Sequence, residues 1–236
     1  MERAMKDMLV MQSLAAAAVL LLFLTDHSLS SSGSEGGPSV LKLPSFKTEG
    51  NVALEKTLAQ RRSVRDFRGA PVTLVELSQI LWAAQGVTNS RGFRTAPSAG
   101  ALYPLEVFVV AGRVDGLTSG VYRYKPAGHE LLRVFEGDRR GDLASSALNQ
   151  SWVKDAPACI VIAAVFDRTT GKYRERGVRY VHMEAGHAAQ NVCLQAVALG
   201  LGTVVVGAFQ DREVKQVLHM LDSEEPLAII PLGRIR

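Results

Sequence analysis

The spacing of apolar and polar positions divides the chain into helices and strands. Over residues 180–199 the apolar positions Val181, Ala185, Ala188, Ala189, Val192, Cys193, Ala196, Val197 and Leu199 recur at helical spacing, and most of them are small. Small residues let a helix come close to its neighbours, so the pattern predicts a buried central helix. Gly200 follows where a left-handed residue usually ends a helix, and Gly202 leads into a β-branched run at 203–206, an expected core strand.

The same reading extends along the chain. Residues 51–60 suggest a short helix with Leu54 and Leu58 one turn apart, followed by the basic segment RRSVRDF at 61–67. Thr73 and Glu76 form a capping box for a helix over 74–85, which Gly86 ends. A loop of small residues, APSAGALYP, runs into an apolar strand at 105–111; 121–124 and 131–135 read as a hairpin around 126–129. A helix is expected over 140–152, a central strand over 159–166, a polar excursion over 167–177, an amphipathic helix over 211–220 and a last strand over 227–232.

The N-terminal region follows another rule. Residues 8–24 are nearly unbroken apolar sequence, with Arg3 and Lys6 before them and no Lys or Arg close after. The run is at the short end of the ~17 to 25 residues that span a bilayer. It fits a signal peptide or one membrane anchor, with the anchor favoured and the folded domain on the far side of the membrane. A mis-assigned start codon would leave the domain cytoplasmic. Three regions are expected: a signal or anchor at 1–29, a Ser/Gly-rich linker at 30–40, and a folded domain at 41–236.

Composition narrows the chemistry. At 236 residues and 47% hydrophobic the chain can bury one sizeable core. The formal charge is only +4, but Arg61, Arg62, Arg65 and Arg68 fall within one short segment. Such a cluster suits a small anion better than a polynucleotide, and interleaved aromatics are missing, so nucleic-acid binding is not expected. The two cysteines, Cys159 and Cys193, lie in apolar settings and read as packing residues.

Arg61, Arg62, Ser63 and Arg65 provide guanidiniums and a hydroxyl suited to a phosphate monoester, and Arg234 and Arg236 could converge on the same anion. A solvated basic turn would read the same way. Gly200-Leu201-Gly202 lies after a helix and before a strand, the reverse of a dinucleotide-binding turn. His182 and His187 flank Glu184, but at about 100° per residue they stand about 140° apart on a helix, so no metal site is expected.

Taken in order, RRSVRDF, APSAGALYPLEVFVV, GVYRYKP, NQSWVKDAP, KYRERGVRY, and EAGHAAQN continuing through ALGLG to VVVGAF resemble the nitroreductase-like FMN flavoproteins. The resemblance runs from about Leu54 to Arg234 and is greatest to the azoline-oxidising dehydrogenases of SagB/ThcOx type from modified-peptide biosynthesis. It implies an α+β fold with a mixed central β-sheet flanked by helices, in an intertwined homodimer with two FMN sites at the subunit interface. By position, Arg61, Ser63 and Arg65 would hold the FMN phosphate and the polar edge of its ring, with Arg62 in the same motif and Arg234 as a late phosphate contact. Pro97, Ser98, Ala99 and Gly100 would lie against the flavin from the other subunit. Asn149 or Gln150 would meet the pyrimidine edge, and the Val206 and Gly207 backbone would approach the ring near N5. Lys172-Tyr173 matches the pair that moves protons in the azoline-oxidising branch; exposed loop residues would read the same way.

The resemblance implies hydride transfer between flavin N5 and a small or peptidic substrate. A nitro- or quinone-type reductase, with NADH or NADPH stacking in the same pocket, is the enzymatic alternative. A membrane-tethered flavin-binding protein without turnover is an alternative of another class.

Overall fold

The computed structural model describes residues 39–236; the apolar run, the expected signal or anchor, and the linker as far as residue 38 lie outside the described residues. Seven strands form one sheet. These are β1 (Val40–Lys42), β3 (Leu105–Ala111), β5 (Gly120–Lys125), β6 (Glu130–Glu136), β7 (Ala158–Ala164), β8 (Leu201–Thr203) and β9 (Glu225–Arg234), in the order β1-β6-β5-β3-β7-β9-β8. Every ladder between these strands is antiparallel, and Ser63 adds a parallel bridge to Thr203 at the β8 edge, which makes the sheet mixed. β2 (Val72–Thr73) and β4 (Val114–Asp115) pair separately, in parallel.

The central strands are covered on both faces. Phe108 lies opposite Val161 and Ile160 opposite Ile230, and all seven residues of β7 are buried, which is why that strand reads as an unbroken apolar run. Val107, Val109, Ile160 and Ile162 point to α2 (Leu74–Gln85) and to the long helix α6 (Glu175–Ala198). Phe108, Val110, Val161 and Ile229 point the other way, to α3 (Arg140–Ser146), α4 (Ser151–Asp155) and α7 (Asp211–Val217). Successive strand residues thus feed two cores.

The α2 capping box is formed as the sequence indicates, and the β5–β6 hairpin is present. Cys159 and Cys193 are buried thiols. Other elements differ from expectation. The first helix, α1 (Leu54–Gln60), starts later and turns Thr57 inward, leaving Leu54 and Leu58 60% and 51% exposed. The helix expected over 140–152 breaks at residues 147–150, where Leu148 and Asn149 adopt positive φ. The strand expected at 203–206 pairs earlier, at Leu201–Thr203 against β9, and the chain then bends so that Val206 bridges Ile229. Gly202 stands within that strand because a Cβ there would lie 2.9 Å from Val64.

The expected polar excursion contains α5 (Asp167–Tyr173), too polar to show an apolar period. Arg174, at φ 53°, separates it from α6, which begins at Glu175, five residues earlier than its pattern suggests. Gly177 makes the junction fit, since a Cβ there would sit 2.8 Å from the Thr170 Cα. Among the described residues no helix is long and apolar enough to cross a membrane.

Candidate active site

The basic segment leaves α1 and lies along the sheet edge. The Val64 N–H donates to the Thr203 carbonyl at 2.9 Å and the Arg68 N–H to the Arg234 carbonyl at 2.9 Å. Arg61 is half-buried, while Arg62, Ser63 and Arg65 are exposed. Arg62 turns back to the Ala59 and Arg61 carbonyls at 2.9 and 2.8 Å, and the Arg65 guanidinium stands 5.5 Å from the centre of the Trp152 ring. Among the described residues no carboxylate pairs with Arg61, Arg62 or Arg65. Burial pushes the Cys193 thiol up, against the Thr203 hydroxyl and the nearby Arg61 charge, which places the start of the segment beside α6.

The helix break reaches the same edge. Gln150 Nε2 donates to the Ala147 and Ala208 carbonyls at 2.9 and 3.0 Å, which ties the break to the strand exit. Asn149 beside it is exposed. Val206 is buried and exchanges backbone hydrogen bonds with Ile229 at 2.8 and 2.9 Å, whereas Gly207 is exposed and a Cβ there would meet nothing within 4 Å. Arg234 is engaged by Glu76 and does not stand free for an anion.

A second group forms at the other end of α6. Residues 97–103 make a tight turn with Gly100, Ala101 and Tyr103 at φ 63°, 54° and 46°, closed by the Tyr103 N–H donating to Ser98 Oγ at 2.9 Å. A methyl group built on Gly100 would lie 2.8 Å from Tyr173 Oη and 3.1 Å from Lys172 Nζ. Lys172 and Tyr173 therefore fold over the turn. Lys172 Nζ stands 5.4 Å from the Tyr173 ring centre, and that ring meets Tyr180 edge-on at 5.2 Å.

Between the turn and α6 lies a cavity of about 280 Å³ lined by Pro97, Ser98, Ala99, Tyr180, Met183 and Glu184, among others. Glu184 is 2% exposed and its Oε1 has no hydrogen-bond partner among the described residues. Burial pushes its carboxyl up to about 7, against the opposing pull of the Ser98 hydroxyl and the Arg94 guanidinium. Arg94 itself donates to Gln85 Oε1 at 2.8 Å and lies 4.4 Å from the Tyr103 ring centre. In the sequence, Glu184 stands out as a charged residue on the Val181–Ala188 stripe of a buried helix, a signal that the neighbouring histidines obscure.

The two groups lie beside different stretches of α6. Cys193 marks the first and Glu184 the second, nine residues and about 14 Å apart along α6. A basic segment, a small-residue turn and an exposed Gly207 occur in this order along a chain built on one mixed sheet, and the Nitroreductase family model matches residues 58–234. The chain belongs to the nitroreductase family. It is thus an oxidoreductase of a family whose members typically use FMN. A nitroreductase-like protein of Methanocaldococcus jannaschii is 48% identical over 199 residues, 84% of this chain and 98% of its own. The crystal structure of a nitroreductase-like protein from Ralstonia eutropha superposes with a TM-score of 0.74 at 33% identity, covering 84% of this chain and 90% of that one. The microcin B17-processing protein McbC of Escherichia coli is 31% identical over 132 residues, 54% of this chain and 48% of its own length. The chain thus matches less than half of McbC.

Proposed function

We propose that this nitroreductase-family chain is an FMN-dependent dehydrogenase of the azoline-oxidising, SagB/ThcOx type, acting on a small or peptidic substrate with Lys172 and Tyr173 handling the proton. The observation that carries this reading is the placement of both side chains over the Gly100 turn. The similarity to McbC over half the chain supports it.

The donor set fits FMN. Among the described residues Arg61 and Arg65 are cations without a carboxylate partner, and Ser63 adds a hydroxyl beside them, the chemistry that a phosphate monoester needs. Gly207 leaves the open space that a flat ring requires near the strand exit. When bound, FMN supplies a two-electron hydride acceptor or donor at N5. Oxidising an azoline to an azole removes one hydrogen as hydride and one as a proton. Lys172 takes that proton, with the Tyr173 phenol beside it to relay it or to hold the substrate nitrogen.

The site is composite. With the anion-binding group and the Lys172–Tyr173 group separated along α6, one flavin would be served by the first group of one chain and the second group of its partner. This supports a homodimer with two sites.

A second reading has its own support. The 48% relative and the Ralstonia eutropha structure are both nitroreductase-like, which favours a reductase taking electrons from NADH or NADPH and passing them to a nitro or quinone acceptor. The test is an absorption spectrum of the FMN-reconstituted chain, then anaerobic addition of NADPH, NADH or a thiazoline-bearing peptide. Bleaching by the thiazoline that is lost in Lys172→Met, with FMN retained, is the expected result. Bleaching by nicotinamide alone would move the assignment to the reductase, and failure to take up FMN would overturn both readings.

A further inference from the structure

Helix α5 is only seven residues long and, apart from Thr169, lies partly or fully exposed, yet it carries Lys172 and Tyr173. A helix this short does not hold itself together. Something else must fix where the two side chains stand.

Arg168 lies one helical turn before Lys172. Its Nη2 donates to Glu106 Oε1 at 2.6 Å and its Nη1 to the Tyr103 carbonyl at 3.2 Å. Glu106 belongs to β3, and Tyr103 ends the turn that contains Gly100. One planar guanidinium therefore holds α5 to the sheet and to the turn that Lys172 and Tyr173 must face.

The anchor itself is rigid. The other Glu106 oxygen accepts from Arg123 at 3.1 Å. Arg123 grips both oxygens of Glu224, with Nη2 to Oε2 at 2.9 Å, and lies 4.4 Å from the Phe108 ring centre. Glu224 is 1% exposed and also accepts from the Leu221 N–H at 2.9 Å. Two arginines and two glutamates alternate, so the chain of charges is neutral and each carboxylate oxygen of Glu106 has its own cation.

The geometry points to Arg168 as a positioning residue that sets Lys172 and Tyr173 against the Gly100 turn, an inference that rests on their proposed role in proton transfer. Arg168 is 41% exposed, and its loss leaves Glu106 paired with Arg123, so its replacement is expected to leave the fold intact. The effect falls on the geometry of the pair.

The test uses the full chain reconstituted with FMN and carrying tyrosine labelled with 13C at Cζ, the Tyr173 resonance being assigned from Tyr173→Phe. Arg168→Met is expected to shift and broaden the Tyr173 signal while the buried Tyr124 signal stays fixed, and Arg168→Lys, a charge without the planar fork, is expected to fall between. An unchanged Tyr173 signal in Arg168→Met overturns the inference. With a thiazoline-bearing peptide as substrate, Arg168→Met should lower kcat roughly 10- to 100-fold with KM little changed. The double variant Arg168→Met/Lys172→Met should be no slower than Lys172→Met alone, whereas additive losses would show a merely structural role. If Lys172→Met keeps full turnover, the proton-transfer reading falls, and the Tyr173 signal still decides whether Arg168 sets the position of the pair.

Discussion

The Glu76 carboxylate and the Arg234 guanidinium meet face to face, Oε1 with Nη1 at 2.8 Å and Oε2 with Nη2 at 2.9 Å. The same Oε2 accepts from the Thr73 N–H at 2.8 Å and the Thr73 hydroxyl at 3.0 Å. One carboxylate therefore closes the first turn of α2 and holds the end of β9. Both Nη atoms of Arg234 are spent on it, so a phosphate would have to compete with Glu76 for that arginine.

Glu76→Gln keeps an oxygen for the Thr73 cap and removes the competing charge. FMN should bind a few-fold tighter, read by quenching of flavin fluorescence, while the melting temperature falls by a few degrees through loss of the ion pair. Weaker FMN binding would mean that Glu76 places Arg234 and does not compete for it.

Arg61 has no carboxylate partner among the described residues, so its replacement is expected to cost little in the empty protein and much in the loaded one. Arg61→Ala should weaken FMN binding by about 10- to 100-fold, the worth of one charge-assisted hydrogen bond. Arg62→Ala should weaken it less, because Arg62 is already turned to the Ala59 and Arg61 carbonyls. Equal losses at the two positions would reverse their assigned roles.

Gly100 combines φ 63° with the close approach of Tyr173 and Lys172. Gly100→Ala should destabilise the chain by about 1 kcal/mol or more through backbone strain and should also displace the Tyr173 ring. Denaturant melts would read the first effect, and turnover of a thiazoline peptide, lowered at least tenfold, the second.

Glu184 makes stability depend on pH. Its carboxyl titrates near 7 in the folded chain against an ordinary value of 4.5. Because the folded pKa is the higher, the stabilisation is fully present below about pH 4.5 and is lost as pH rises through 7. That loss amounts to up to about 3 kcal/mol. Glu184→Gln has no such titration, so the stability difference between variant and wild type should grow in the variant's favour between pH 5 and pH 8. Parallel profiles in urea would show that another group neutralises the carboxylate.

Periodicity located α2 and the central strands because they bury a regular face, and it located the centre of α6 for the same reason. It failed where burial is irregular. Leu54 and Leu58 have helical spacing but face outward, and α5 is tied down by the Arg168–Glu106 ion pair and by close packing at Gly177, without an apolar stripe. The break at 147–150 depends on positive φ at Leu148 and Asn149, residues with no glycine to announce it. The candidate site residues were legible as motifs, and the structure sorts them into groups: Gln150 joined to Ala208 in one, Gly100 under Tyr173 in the other. What the motifs lacked were partners far apart in sequence, Glu106 for Arg168 and Glu76 for Arg234.

The separation of the two groups along α6 has a genetic consequence. At an FMN concentration that loads the wild-type site but not the weakened Arg61→Ala site, a chain carrying Arg61→Ala and a chain carrying Lys172→Met are each expected to be inactive alone. A hybrid of the two would contain one site with both defects and one with neither. Equal mixing after dissociation and reassembly should therefore restore about a quarter of wild-type activity, since half of the dimers are hybrids with one intact site each. Mixtures that stay inactive would place every functional residue of a site on a single chain.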